Sequence, residues 1–112
     1  IAQLATEAEV ARVMGLRVVA ESMKADEVPG TPPPTVESSQ YKLFMNECSK
    51  RTANAALDLM GPGAQLKPRE EGAPAGGRFE RSYRYTVVDT IGGGTSEIQK
   101  NIISRRKLGL PT

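Results

Sequence analysis

The chain has 112 residues, enough for one domain with one modest core. Charged residues make up 25% and the formal net charge is +2, a balance that singles out no acidic partner; aromatic residues at 4% leave few stacking platforms, which sets nucleic-acid binding aside. Histidine is absent, so imidazole catalysis and His-based metal sites are excluded within this chain, and the single cysteine, Cys48, has no internal disulfide partner.

Residues 1–24 read as a helix. Ile1, Leu4, Ala8, Ala11, Gly15 and Val18 recur at steps of three and four, and Val10, Val13 and Met14 widen the stripe. Ala8, Ala11 and Gly15 are small enough to admit a second helix closely. Glu7, Glu9, Arg12, Arg17 and Glu21 read as a solvated face. Ile1 enters this pattern without a capping residue before it, so the chain is expected to be a piece of a longer polypeptide. No apolar run reaches the ~18 residues that span a bilayer, and no stretch reads as a signal or transit segment. The run D-E-V-P-G-T-P-P-P-T stops the helix, because proline lacks the N–H and restrains its predecessor. Residues 25–35 are therefore a stiff connector.

A second helix is expected over 36–60, capped by Thr35 or Ser38, with Glu37 at its positive end. Val36, Gln40, Leu43, Phe44, Cys48, Ala55 and Leu59 form its buried side, and Met45 and Met60 are further core candidates. Cys48 in this register is a buried structural thiol, which fits a reducing compartment. Gly61 and Pro62 form the stop: glycine for the left-handed position, proline beyond it. Residues 61–78 are a surface loop by composition, with Leu66 as the only large apolar anchor. In the segment 79–90, Tyr, Val and Thr favour a strand. Phe79, Tyr83, Val87 and Ile91 nevertheless recur at i+4, and no second strand is available, so a helix is expected. The last helix, 96–107, carries Ser96 and Gln99 at capping-box spacing. Ile98, Ile102 and Ile103 are its apolar side, and Arg105, Arg106 and Lys107 suit its negative end. The whole reads as all-α, without an internal repeat.

The stretch I-G-G-G-T-S-E-I-Q places three glycines directly before that last helix. Two readings stand. Backbone N–H groups at a glycine turn leading into a helix can receive an anion or a polar ligand, with Thr95 and Glu97 adding side-chain hydrogen bonds. The plainer reading is a glycine hinge followed by a capped helix. A phosphate-cradling P-loop is excluded, since no lysine followed by Ser or Thr comes after the glycines. Glu70 and Glu71 read as solvated loop charge, Asp89 as a ligand or ion-pair partner, and Tyr83 and Tyr85 as packing residues.

The string T-I-G-G-G-T-S-E-I-Q-K-N-I-I-S-R-R-K-L-G-L-P resembles the C-terminal signature of the acyl-CoA dehydrogenases. A-L-D-L-M-G-P-G, R-F-E-R-S-Y-R and A-Q-L-A-T-E-A-E-V-A-R resemble further segments of the same family, so the similarity covers nearly the whole chain outside the Gly/Pro-rich loop. The resemblance implies a C-terminal helical bundle lacking its first helix. It implies an FAD-dependent enzyme that removes the α proton and β hydride of an acyl-CoA thioester, is reoxidised by an electron-transferring flavoprotein, and forms dimers or tetramers with FAD shared between subunits. Thr95, Ser96 and Glu97 match the family's flavin-contacting triplet. Gly94 matches the glycine whose backbone lies near the substrate. Asp58, Leu59, Met60, Gly61 and Pro62 match the stretch that meets the adenosine portion of a neighbouring subunit's FAD. Relatives usually carry glutamine in place of Asp58, and an ionised carboxylate cannot donate the hydrogen bond an amide can.

A second departure is Gly93, which stands where many members carry the catalytic glutamate. Other relatives place that glutamate on the bundle's first helix, and some pair a subunit without the base with one that has it, including assemblies acting on bulky steroid-like thioesters. No catalytic residue is therefore assigned. The expected function is the C-terminal part of an acyl-CoA dehydrogenase, inactive by itself, bound to the rest of its own chain and to other subunits, in the bacterial cytoplasm in preference to the mitochondrial matrix. Two alternatives remain: a non-catalytic partner subunit of a mixed tetramer, and a cofactor-free helical interaction module.

Overall fold

A computed structural model of the chain describes residues 1–111. Among these residues there are four α-helices and no strand: α1 is Ala2–Glu27, α2 Thr35–Met60, α3 Arg78–Asp89 and α4 Ser96–Leu108. Two short 3-10 turns, Pro62–Gln65 and Pro74–Gly77, lie between α2 and α3. The chain divides into two compact units. One comprises Ile1–Met45 and the segment from Gly94 onward; the other is Asn46–Gly93.

In the first unit, α1 runs on to Glu27 where its periodic pattern ends at 24. The stop is local: Val28 precedes a proline and takes an extended conformation (φ −111, ψ 106), while its N–H still donates to the Lys24 carbonyl. The small-residue stripe has a visible use. A Cβ added at Gly15 would lie 3.3 Å from the ring of Tyr41 on α2, so the bare backbone of α1 receives an aromatic side chain. Ala11 and, on α2, Ser39 are buried. The remainder of the anticipated stripe is less covered: Ile1, Ala8, Val10 and Val13 are exposed. The hydroxyl of Thr35, one of the two residues expected to cap α2, donates to the Pro33 carbonyl and accepts from Arg106 at 3.0 Å.

From Val13, at the edge of that stripe, further apolar residues continue along α1. Val13, Leu16, Val19 and Met23 recur at steps of three and four, and each is more than half exposed. A helix apolar over so wide a surface is characteristic of the interior of a larger assembly. Covering the exposed half of such side chains contributes roughly 1 kcal/mol each.

In the second unit, the C-terminal half of α2 carries the buried Cys48 and Ala53. Leu59, expected inside, is 66% exposed. The segment 61–78, expected as a surface loop anchored by Leu66, is built differently. Its anchor is Ala64, 1% exposed in the first 3-10 turn, and Leu66 is only half-buried. Glu70 is a structural residue: its carboxylate accepts the Lys67 N–H at 2.8 Å while its own N–H donates to the Lys67 carbonyl. Gly77 is buried at φ 76, and a Cβ there would stand 2.3 Å from the Pro68 nitrogen. On α3 the i+4 stripe identifies the helix but not its buried face. Phe79 is half-buried, whereas Tyr83, Val87 and Ile91 are exposed. The buried residue is Thr86, whose hydroxyl donates to the Tyr83 carbonyl at 2.7 Å.

Two outcomes are expected from this packing. Gly77→Ala should destabilise the intact protein by about 2–4 kcal/mol in urea unfolding, combining left-handed strain with a backbone overlap. Gly76→Ala, at φ 66 with open space around it, should lose only about 1 kcal/mol. The 112-residue segment produced alone should self-associate through the exposed stripe of α1; a monodisperse, cooperatively unfolding monomer in sedimentation would contradict this.

Candidate functional site

The glycine run ends at the first turn of α4. Gly93 and Gly94 have φ 68 and 101. Thr95, not Ser96, is the N-cap: it is extended (φ −64, ψ 166), and its hydroxyl oxygen accepts the Ile98 N–H at 3.4 Å. The expected Ser96–Gln99 capping box is thus displaced by one residue, because Ser96 is already helical. The Gln99 side chain reaches back past it and donates from Nε2 to the Gly94 carbonyl at 3.4 Å. The first main-chain bond of the helix runs from Gln99 N–H to the Thr95 carbonyl at 3.0 Å. Ile98, expected on the apolar side, is 50% exposed, and Gln99 is the residue that α4 buries.

Glu97 lies in this first turn and is exposed. Its own backbone N–H, then the Thr95 hydroxyl and last the Lys100 charge outweigh desolvation and hold its carboxyl below the usual range. The Thr95 side chain is therefore donor to Glu97 and acceptor from Ile98 at once. The N–H groups of Gly94, Thr95 and Ser96 find no acceptor among the described residues. These donors sit at the positive end of a 13-residue helix and suit carbonyl or anionic oxygens.

The other group, Asp58–Pro62, lies at the end of α2 in the second unit. Asp58, Gly61 and Pro62 line a groove of ≈ 560 Å³ together with Asn54, Leu57, Gln65, Glu80, Tyr83 and Arg84. This volume falls in the range of small-molecule sites. Leu59 and Met60 are exposed outside the groove. Gly61 leaves the helix at φ 70 and ψ −165, so it turns the chain sharply without the left-handed helical geometry expected of it. Arg84 is paired bidentately with Glu80, at 2.6 and 3.1 Å, which leaves the Asp58 carboxylate as the unbalanced charge in the groove.

Sequence reasoning did not single out Asn54, Gln65, Glu80 or Arg84. Their only signal is spacing: Asn54, Leu57, Asp58 and Gly61 share one helical face, as do Glu80, Tyr83 and Arg84. The groove arises because the 3-10 turns bring those two faces into one unit. At the α4 start, the depressed Glu97 pKa means that its contribution to stability is complete above the unfolded carboxylate pKa and is lost as pH falls through the folded one. Glu97→Gln should accordingly lower the melting temperature at neutral pH, and the difference from wild type should vanish in acid; a pH-independent difference would show that the charge plays no part.

The sequence profile of the acyl-CoA dehydrogenase C-terminal domain matches residues 1–108. Acyl-CoA dehydrogenase FadE26 of Mycobacterium tuberculosis is 32% identical over 99% of this chain and 27% of its own length. The probable acyl-CoA dehydrogenase YngJ of Bacillus subtilis is 34% identical over 96% of this chain and 25% of its own. Among solved structures, the ChsE4–ChsE5 complex of M. tuberculosis superposes with a TM-score of 0.85 at 29% identity, covering 99% of this chain and 26% of that one. A structure described as the Tcur3481–Tcur3483 steroid ACAD has the same fold, with a TM-score of 0.84 at 20% identity over 98% of this chain and 27% of that one. The chain thus spans about a quarter of the length of these relatives. Taken with the four-helix architecture and the glycine-to-helix turn at Gly94–Glu97, the match places this chain in the acyl-CoA dehydrogenase family, as its C-terminal helical domain.

Proposed function

We propose that this domain serves an FAD-dependent acyl-CoA dehydrogenase that introduces an α,β double bond into an acyl-CoA thioester. The observation that carries the reading is the set of unpartnered N–H groups at Gly94, Thr95 and Ser96, beside a Glu97 carboxylate kept ionised. A flavin ring fits this arrangement: its carbonyl oxygens accept from such donors, and its ring N–H donates to a carboxylate. When bound, the flavin supplies the hydride acceptor. On this side of the reaction, Thr95, Ser96 and Glu97 hold and orient the ring, and Gly94 lets the thioester approach the main chain without an intervening side chain. Asp58, Gly61 and Pro62, flanked by Leu59 and Met60, meet the adenosine end of a neighbouring subunit's FAD. Subunits therefore assemble as dimers or tetramers, and an electron-transferring flavoprotein reoxidises the cofactor. The cytoplasm is the proposed compartment; no helix among the described residues is long and apolar enough to cross a membrane.

One observation favours a second reading. Gly93 has no side chain, so it cannot take the α proton, and general-base catalysis needs a carboxylate within reach of it. The base then comes from elsewhere in the polypeptide or from a second, different subunit. The ChsE4–ChsE5 structure is of a complex between two named proteins, which supports a mixed assembly with this chain as the partner that lacks the base.

In the full-length protein, bound flavin should give a yellow preparation, and Gly94→Val should abolish flavin retention while unfolding remains cooperative. Unchanged occupancy would contradict the reading. Dehydrogenation of an acyl-CoA by the full-length protein alone would remove the mixed-assembly reading; activity only after adding a second subunit would remove the self-sufficient one.

A further inference from the structure

Gln99 is 5% exposed, an uncommon burial for a neutral amide in the first turn of a helix. Burying an amide is unfavourable unless it is hydrogen-bonded, and here its Nε2 donates to the Gly94 carbonyl at 3.4 Å, towards the long end of the range. The same nitrogen stands 2.8 Å from the point where a Cβ on residue 94 would lie. The amide therefore occupies the space that the missing Gly94 side chain leaves. Glycine at 94 has a local reason independent of any ligand, the φ of 101, and the end of the Gln99 side chain fills the space beside it.

The consequence concerns the next N–H. No peptide bond in the described chain is cis, and across a trans peptide the C=O and the following N–H point in opposite directions. Engaging the Gly94 carbonyl from the buried side turns the Thr95 N–H to the other side. That N–H has no acceptor among the described residues.

We propose that Gln99 is a positioning residue: its amide locks the Gly94–Thr95 peptide so that the Thr95 N–H is presented to a carbonyl oxygen of the flavin. The inference rests on the flavin reading given above. The lock needs a donor at the end of a side chain of this length, so two near-isosteric substitutions separate it from packing. Methionine keeps the volume and removes the donor. Glutamate keeps the shape, and it donates only when protonated.

The test is flavin binding by the full-length protein, with the visible absorption band recorded and circular dichroism as the control for folding. Gln99→Met should weaken flavin binding roughly tenfold and shift the band, the size of one lost hydrogen bond. Gln99→Glu should bind weakly at neutral pH and recover as pH falls through the carboxyl's titration range, a pH dependence opposite to simple acid destabilisation. If neither variant folds, hydrogen exchange on the wild type decides: the Thr95 amide should become protected when FAD is added. A yellow wild type with Gln99→Met unchanged to within about twofold, or with a Thr95 amide unprotected by flavin, overturns this inference alone. A wild type that stays colourless with excess FAD overturns the flavin reading and this inference with it.

Discussion

The beginning of α4 rests on a backbone constraint at Gly94. Its φ of 101 is one that side-chain-bearing residues rarely adopt, and the Gln99 amide fills the space where a Cβ would stand. From that one bare position the rest of the turn follows. The carbonyl is taken up from inside by Gln99, Thr95 assumes the extended geometry of an N-cap, and its hydroxyl both receives the Ile98 N–H and donates to Glu97. The helix start is thereby satisfied on its inner side and left with donors on its outer side.

The interior of the chain is small. Among the described residues the buried apolar ones are Ala11, Cys48, Ala53 and Ala64, and no large side chain is fully buried. Val13, Leu16, Val19 and Met23 on α1, and Tyr85, Val87 and Val88 on α3, remain largely exposed. This is the composition of a domain whose helices pack in part against other polypeptide, and it agrees with relatives about four times as long. The close passage of Tyr41 over Gly15 shows how the packing within the chain is obtained where it exists: a small residue on one helix admits a ring from another.

Two positions bear on chemistry rather than on fold. Gly93 offers the turn no side chain, and Asp58 places an anion in a groove whose lining guanidinium, Arg84, is already paired with Glu80. Neither disturbs a helix. Both change what the surface can do for a ligand, which is why membership of a fold family and possession of its reaction are separate questions.

Much of the architecture was legible in the order of residues. Helical periodicity, the proline run after Glu27, the Gly61–Pro62 stop and the passage from glycines to Thr95 are local signals, and local backbone preferences are enough to produce them. The same signals misplaced several interiors. The Phe79–Tyr83–Val87–Ile91 stripe marks α3 as a helix while Thr86 is the residue it buries; Ser96 has the right spacing for a cap that Thr95 performs; the Gly/Pro-rich segment is anchored by Ala64 rather than Leu66. Periodicity reports which residues share a face, but not which face meets another element. The sequence by itself determined the helices, their breaks and the bare turn at Gly94. Only the tertiary structure decided that Gln99 turns inward and that α2 and α3 enclose a groove, because the first depends on the φ and ψ of the turn at Gly94 and the second on neighbours distant along the chain.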